Sequence, residues 1–438
     1  MPVCRFVCLV AALALCAAPA LAQEDVKPGA PTFKEGDVIG FDQIEKLKPF
    51  LPPEFWDNRD FFFYEGMQLE IGPSFADYGP PPVYVEATKK HSGAVKLGPE
   101  NSLENYTAGQ PFPSEQIDCK GDPQAGAKIA WNFVRRWEGF GGTAVDFYYS
   151  YWDRGEELPL YYQGTSTGTS LAFRPEPQYE ANKGDVFRNE KRYEASGPSV
   201  DAPFDARGIM LMTYRYKASL GTKATTKNDD TWVYVPTLRR VRRISSAQRT
   251  DAVSGTDFTF DDLFSFNGIV PQYDWQCLGK MDLVAPTNTQ VKGYPYERDH
   301  NFGPYGLSYA DDRWDVRHAV KIRFTPTNAD HPYKFKDIYI DTNSMEPMYS
   351  FAYDRKGELW KLIWHNHRWS QDPKFAKIYT AWAGVAEPRD VMTVSDIIVN
   401  VQTGTGNRIE AWNRNGVPFD SKGALRRYVD VNRLTKGR

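Results

Sequence analysis

Residues 231–245 read TWVYVPTLRRVRRIS, a bulky apolar run followed by four arginines within five positions. Alternate side chains of an extended chain share a face. The alternation places Trp232, Tyr234, Leu238, Arg240, Arg242 and Ile244 on one side, and Arg239 and Arg243 on the other with Val233, Val235 and Val241. Pro236 marks an edge or a bulge, because proline cannot donate to a ladder. The stretch therefore predicts a strand whose aromatic part covers a core or cavity while its arginines reach a rim. Downstream, GTDFTFDDLFSF supplies Asp257, Asp261 and Asp262, carboxylates that suit arginine forks. The bland expectation is a salt-bridged helix-on-sheet contact, and the functional one is a cationic lip for the acidic head of an amphiphile. Nucleic acid is disfavoured as a partner, because 53 basic against 56 acidic side chains leave no basic excess.

Similar strands surround this one. In AVDFYYSYW (144–152) Phe147, Tyr149 and Tyr151 share a face, and in GIMLMTYRYK (208–217) Met210, Met212 and Tyr214 do. Faces of Met and Tyr suit a greasy ligand, since Met adapts its shape and the rings offer broad contact. With Trp232, Tyr234, Leu238, Arg240 and Arg242, and with Phe260, Leu263 and Phe264 from a short helix expected over 257–266, they form the expected ligand-binding set; the competing expectation is an ordinary core. Further strand-like runs lie at 61–71, 82–87, 158–164, 314–324, 336–342, 348–354, 358–365 and 396–402, with Asp354-Arg355-Lys356-Gly357 reading as a hairpin turn. The main helix is expected in DPQAGAKIAWNFVRRWEGF, capped by Asp122 and stopped by Gly139. The aromatic share of 14% with a mean hydropathy of −0.56 fits alternating strands rather than long apolar helices.

The first 22 residues, with Arg5 before a short apolar run and Ala20-Leu21-Ala22 at its end, read as a cleaved signal peptide. Residues 23–58 read as an extended arm and 59–438 as a single β-rich domain. No later run is long enough to span a bilayer as a helix. Export leaves Cys119 and Cys277 in an oxidising compartment, where one disulfide is expected and two buried thiols are the alternative.

Together AGQPFP (108–113), KIAWNFVRRWEG (128–139), WVYVPTLRRVRRIS followed by DFTFDDLF, HPYKFKDIYID (331–341) and YDRKGELWK (353–361) carry a resemblance. From about residue 100 onward the chain resembles a bacterial periplasmic family of unknown function grouped with outer-membrane lipoprotein-sorting proteins. The resemblance implies a mainly β fold: a large curved antiparallel sheet, an incomplete barrel, with helices covering its concave side. It also implies a periplasmic carrier or adaptor for lipids or other hydrophobic molecules, serving an inner-membrane exporter or an outer-membrane protein, with no catalytic residues to carry over.

Enzymatic motifs are weak. Gly164-Thr165-Ser166-Thr167-Gly168 matches the serine-hydrolase pattern, but the prolines that follow argue against the helix a nucleophile elbow needs. That leaves a hydrolase using Ser166 as the rival function, with a structural envelope-bridging subunit as a third. His365 and His367 have a spacing usable by a metal but lack an evident third ligand, and Asp311-Asp312 beside Arg313 read as a turn. No cofactor or metal is expected, and the sequence-level expectation is a non-enzymatic carrier.

Overall fold

A computed structural model describes Asp25 and residues 29–139, 142–245, 249–291, 300–374, 389–412 and 421–436. The expected signal peptide lies outside the described residues.

Fifteen strands form one sheet. From edge to edge it runs β1 (Val38–Ile39), β2 (Leu69–Ser74), β12 (Arg313–Pro326), β13 (Phe335–Asp341), β14 (Pro347–Tyr353), β15 (Leu359–Trp369), β16 (Val391–Asn400) and β17 (Thr405–Trp412). It continues through β5 (Gly142–Asp153), β6 (Glu156–Ser170), β7 (Arg192–Ala202), β8 (Met210–Tyr216), β9 (Asp230–Val235) and β10 (Arg240–Ile244), while β11 (Tyr273–Ala285) pairs with β12. All pairs are antiparallel except β2 with β12. The path ends at β1 and β10, and β11 has no second neighbour among the described residues, so the sheet is not closed into a barrel. A separate hairpin joins β3 (Lys96–Leu97) and β4 (Leu103–Glu104). The turn at 354–357 forms as expected: Asp354 Oδ1 accepts from the backbone N–H groups of Lys356, Gly357 and Glu358, and Gly357 takes the left-handed conformation it needs, φ 92°.

The two faces of β11–β17 are buried by different parts of the chain. On one, the arm face, the short helix α1 (Pro53–Asp57) drives Phe55 to within 5.2 Å of the Tyr349 ring and 5.1 Å of Trp364. The expected arm thus supplies core, including the buried Leu47, Phe50 and Trp56, and each buried ring contributes on the order of a few kcal/mol. On the other face, helix α3 (Ala125–Val134) packs with Val320, Ile322, Phe324 and Ile338. A Cβ at Gly126 would lie 2.5 Å from the backbone of Gln276 on β11, so only glycine permits this approach. Cys119 and Cys277 are bonded, fixing the chain before α3 to the same strand.

Over β8 to β10 the covering is reversed. Helices α4 (Lys422–Tyr428) and α5 (Arg433–Lys436) lie on the arm face, where Met212, Tyr214 and Trp232 meet Tyr428, Val429 and Leu434. Helices therefore lie on both faces of the open sheet.

Several local expectations differ from the outcome. Residues 82–87 belong to helix α2 (Pro82–His91), whose Tyr84 and Ala87 are buried three apart, on one face. Within 61–71 strand geometry starts only at Leu69. The expected helix over 257–266 is a kinked 3₁₀ segment, Phe260–Ser265, because Phe264 (φ 52°) and Ser265 (φ 64°) are left-handed. Gln124, not Asp122, precedes α3; Asp122 accepts instead from the backbone N–H of Gln124 and from Lys128.

Candidate functional site

Register decides which expected ligand-binding residues meet. Tyr149 lies opposite Ile409 and Tyr162, and with Phe147 and Tyr151 it faces the α3 side. Met210 pairs with Tyr234 and Met212 with Trp232, but these, with Tyr214, are on the arm face beneath α4 and α5. The fourteen residues thus do not form one surface. The opening stretch shows why. Pro236–Leu238 is a tight turn ending in left-handed Arg239 (φ 48°), so the chain reverses instead of running on as one strand. Arg240 and Arg242 then pair with Val235 and Val233 on the α3 side, opposite to Trp232 and Tyr234. Leu238 is exposed at the turn.

The expected carboxylate partners of these arginines serve other groups. Arg243 pairs with Asp230. Asp257 accepts from Asn400 and Thr405 at 2.7 and 2.6 Å, and Asp261 pairs with Arg249 at 2.7 Å. Asp262 bonds two buried ammonium groups, Lys336 at 3.0 Å and Lys361 at 3.1 Å, and also takes the Tyr333 hydroxyl. Burial alone would raise the Asp262 carboxyl, but the two lysines outweigh it and hold it well below the usual carboxylate range. Burial lowers the Lys336 ammonium despite that partner. Residues 257–266, where Phe258 and Leu263 pack on Tyr149 and Phe147, are thus a cover tied to the α3 face through buried charge.

The same cover brings a hydroxyl to a histidine. Ser265 Oγ lies 2.6 Å from His365 Nε2 and His365 Nδ1 lies 2.5 Å from Asp396 Oδ1, while Ser265 Oγ also donates to Ser350 at 2.9 Å. Ser265 and His365 are wholly out of solvent. Beyond them, His367 is buried with its ring 6.0 Å from the His365 ring; burial holds this imidazole well below its ordinary pKa and hence neutral. Its Nε2 is 3.8 Å from Glu346, which accepts from Arg136 Nε at 2.8 Å. Burial outweighs Arg136 and pushes the Glu346 carboxyl up to about 7.

Arg136 leads to a cavity of about 120 Å³ that also exposes Arg135, Arg174, Glu194, Arg215 and Phe266. Arg174 is matched by Glu176 at 2.9 Å and Arg215 by Asp229 at 3.2 Å. Arg135 differs. Its guanidinium carbon stands 5.5, 5.0 and 5.0 Å from the rings of Tyr106, Phe173 and Tyr193, and its buried Nε has no hydrogen-bond partner. Stacked rings suit a guanidinium, Tyr106 takes a hydrogen bond from it, and its Nε–H is left unspent, so the cavity can receive an anionic group there. Burial raises the nearby Glu194 carboxyl, which weakens its repulsion of such a group.

Sequence reasoning noted His365 only as a metal candidate and missed Ser265, Asp396 and Arg135. Among the described residues no cluster of three or more His, Cys, Asp or Glu is placed to hold a metal. Ser166 sits within β6, with strand on both sides, and so is not on an elbow.

The architecture defines a class: an open, β-rich sheet protein with few helices. Within that class, residues 59–434 match a family described only as a protein of unknown function, DUF1329, and the chain belongs to that family. Among curated proteins it is 24% identical over 287 residues to an uncharacterized protein, PA3922, of Pseudomonas aeruginosa, covering 64% of this chain and 58% of that one. The chain thus spans less than two thirds of that relative. Among solved structures it is similar to a domain provisionally designated an outer membrane lipoprotein-sorting protein from Vibrio parahaemolyticus, 17% identical with a TM-score of 0.45 over 72% of this chain and 100% of that one. A DUF1329 family protein from Desulfovibrio piger matches at 16% identity and TM-score 0.45, over 72% of this chain and 99% of that one. No helix among the described residues is long and apolar enough to cross a membrane.

Proposed function

We propose that the protein is a periplasmic carrier or adaptor for an amphiphile with an acidic head, held on the α3 face of β5–β9. The observation that carries this reading is a polarity gradient along β8 and β9. Leu211 and Val233 pair as a half-buried apolar band, Thr213 and Thr231 follow with hydroxyls 3.0 Å apart, and Arg215 ends the row at the cavity containing Arg135. Phe147 and Tyr162 extend the apolar band across β5 and β6. Removing a ligand's apolar surface from water favours binding by ~25 cal/mol per Å² before ordering costs, and Arg135 selects the head. Delivery to a membrane exporter or an outer-membrane protein fits such a role. Mass spectrometry of protein purified gently from its own cells tests it. A co-bound acidic amphiphile is expected in the wild type, lost in Leu211→Asp and reduced in Arg135→Met. An empty wild-type protein sinks the proposal.

The Ser265–His365–Asp396 chain favours a second reading, in which the carrier also cleaves an acyl ester of its ligand with residues 257–266 seated on the sheet. Ser265 Oγ would attack the carbonyl and pass its proton through His365 to the departing alcohol, and water would then release the acyl group. A serine-directed fluorophosphonate should label the wild type and spare Ser265→Ala. Equal labelling of both, or of neither, removes this reading and leaves the carrier standing.

A further inference from the structure

The arginines of the opening stretch take no part in the cavity. Their position suggests another use. The β7–β8 turn and the β9–β10 turn lie at the same end of the sheet, since Met210 pairs with Tyr234 beside both, and a Cβ on Gly208 would lie 3.0 Å from Pro236 of the neighbouring turn. At this corner two large apolar side chains face solvent: Phe204 is 89% exposed and Leu238 46%. No other large apolar side chain is as exposed as Phe204 among the described residues. Arg207, Arg239, Arg240 and Arg242 are exposed around them, none in an ion pair among the described residues, against the nearby carboxylates of Asp201 and Asp205.

We infer that this corner docks on an anionic phospholipid surface, with Phe204 and Leu238 entering the interface and the arginines meeting headgroup phosphates. Exposing a phenylalanine at a turn has no use in folding, whereas an aromatic side chain flanked by cations suits the boundary between headgroups and acyl chains. Charge sets the orientation as well. The turn between β5 and β6 carries Glu156 and Glu157 besides the paired Asp153 and Arg154, and repulsion of that net negative charge from an anionic surface tilts the sheet so that the β10 corner, not that turn, faces the bilayer. Docking there brings a membrane to the end of the strands that carry the Leu211–Val233 band. The inference does not depend on that band holding a ligand.

Co-sedimentation of the mature protein with vesicles tests it, comparing phosphatidylcholine alone with phosphatidylcholine containing about a third phosphatidylglycerol. Binding is expected only to the anionic vesicles and should weaken with salt. Phe204→Asp, or Arg240→Glu with Arg242→Glu, should lower it about tenfold or more. These positions are exposed, so the variants should keep the wild-type circular dichroism. In Phe204→Trp the emission should shift to the blue on the anionic vesicles. Equal binding to both vesicle types, wild-type binding by the charge-reversed variants, or binding to an acidic protein with none to vesicles would each overturn the inference.

Discussion

Asp262 is one carboxylate between two ammonium groups that are 0% and 2% exposed at their side chains, and removing it would leave both buried without a counter-charge. Breaking a buried ion pair by deleting one partner costs roughly 3–5 kcal/mol, so Asp262→Asn should lower the urea-unfolding free energy by about that much. A loss below about 1 kcal/mol would show that water reaches the lysines. Glu346 makes a pH argument. Its carboxyl rises from 4.5 to about 7 by burial, so the folded chain holds the proton more tightly than the unfolded one. Its contribution to stability is fully present below about 4.5 and is lost as pH rises toward 7. Unfolding followed across that window should show stability falling with pH through this group, and Glu346→Gln should flatten that component. Neither role was legible in the sequence. The partners of Asp262 lie 74 and 99 residues further on, and nothing in FKDIYID, LWKLIWH or DDLFS says which strand will lie under which loop.

At the scale of elements, alternation in a single strand tells which side chains share a face but not which face is covered. The sequence reading grouped Met210, Met212 and Tyr214 correctly as one side of a strand, yet their cover is the chain's own C-terminus: the Tyr214 hydroxyl bonds the Val429 carbonyl. Met212→Asp is therefore expected to detach α4 and α5 rather than only empty a ligand site. Limited proteolysis should show early cleavage within 421–436, and resistance equal to the wild type would return Met212 to a ligand role. β7 escaped notice because Gly197 and Pro198 interrupt it. β11 escaped although its odd positions Tyr273, Trp275, Cys277, Met281 and Leu283 are buried, a period of two broken by a bulge between Cys277 and Gly279. The cysteines were legible from compartment chemistry alone. Their bond closes a separation of 158 residues, for which chain entropy gives about 5 kcal/mol at most. Replacing both with alanine should lower the unfolding free energy by roughly 3–5 kcal/mol.

For the whole molecule, the arginine stretch was legible as a strand with charge at its end, but not as a reversal. Its consequence concerns the sheet rather than the cavity. An open sheet has free edges, and an unpaired edge is a template for another chain. One edge is shared by β1, whose two residues limit pairing by length, and β11, which among the described residues pairs with β12 alone. The other is β10, five residues of RVRRI with Arg240, Arg242 and Arg243 exposed, which limits pairing by charge, since a second copy would bring like charges together across the new ladder. Valine at 240 and 242 keeps the strand's propensity while removing that repulsion. The double variant should then associate more than the wild type as concentration rises, seen as a larger weight-average mass in sedimentation equilibrium. High salt should push the wild type in the same direction by screening the arginines. If the double variant and the wild type have the same mass at every concentration and salt, the edge is guarded by geometry, and the arginines are left with the membrane role alone.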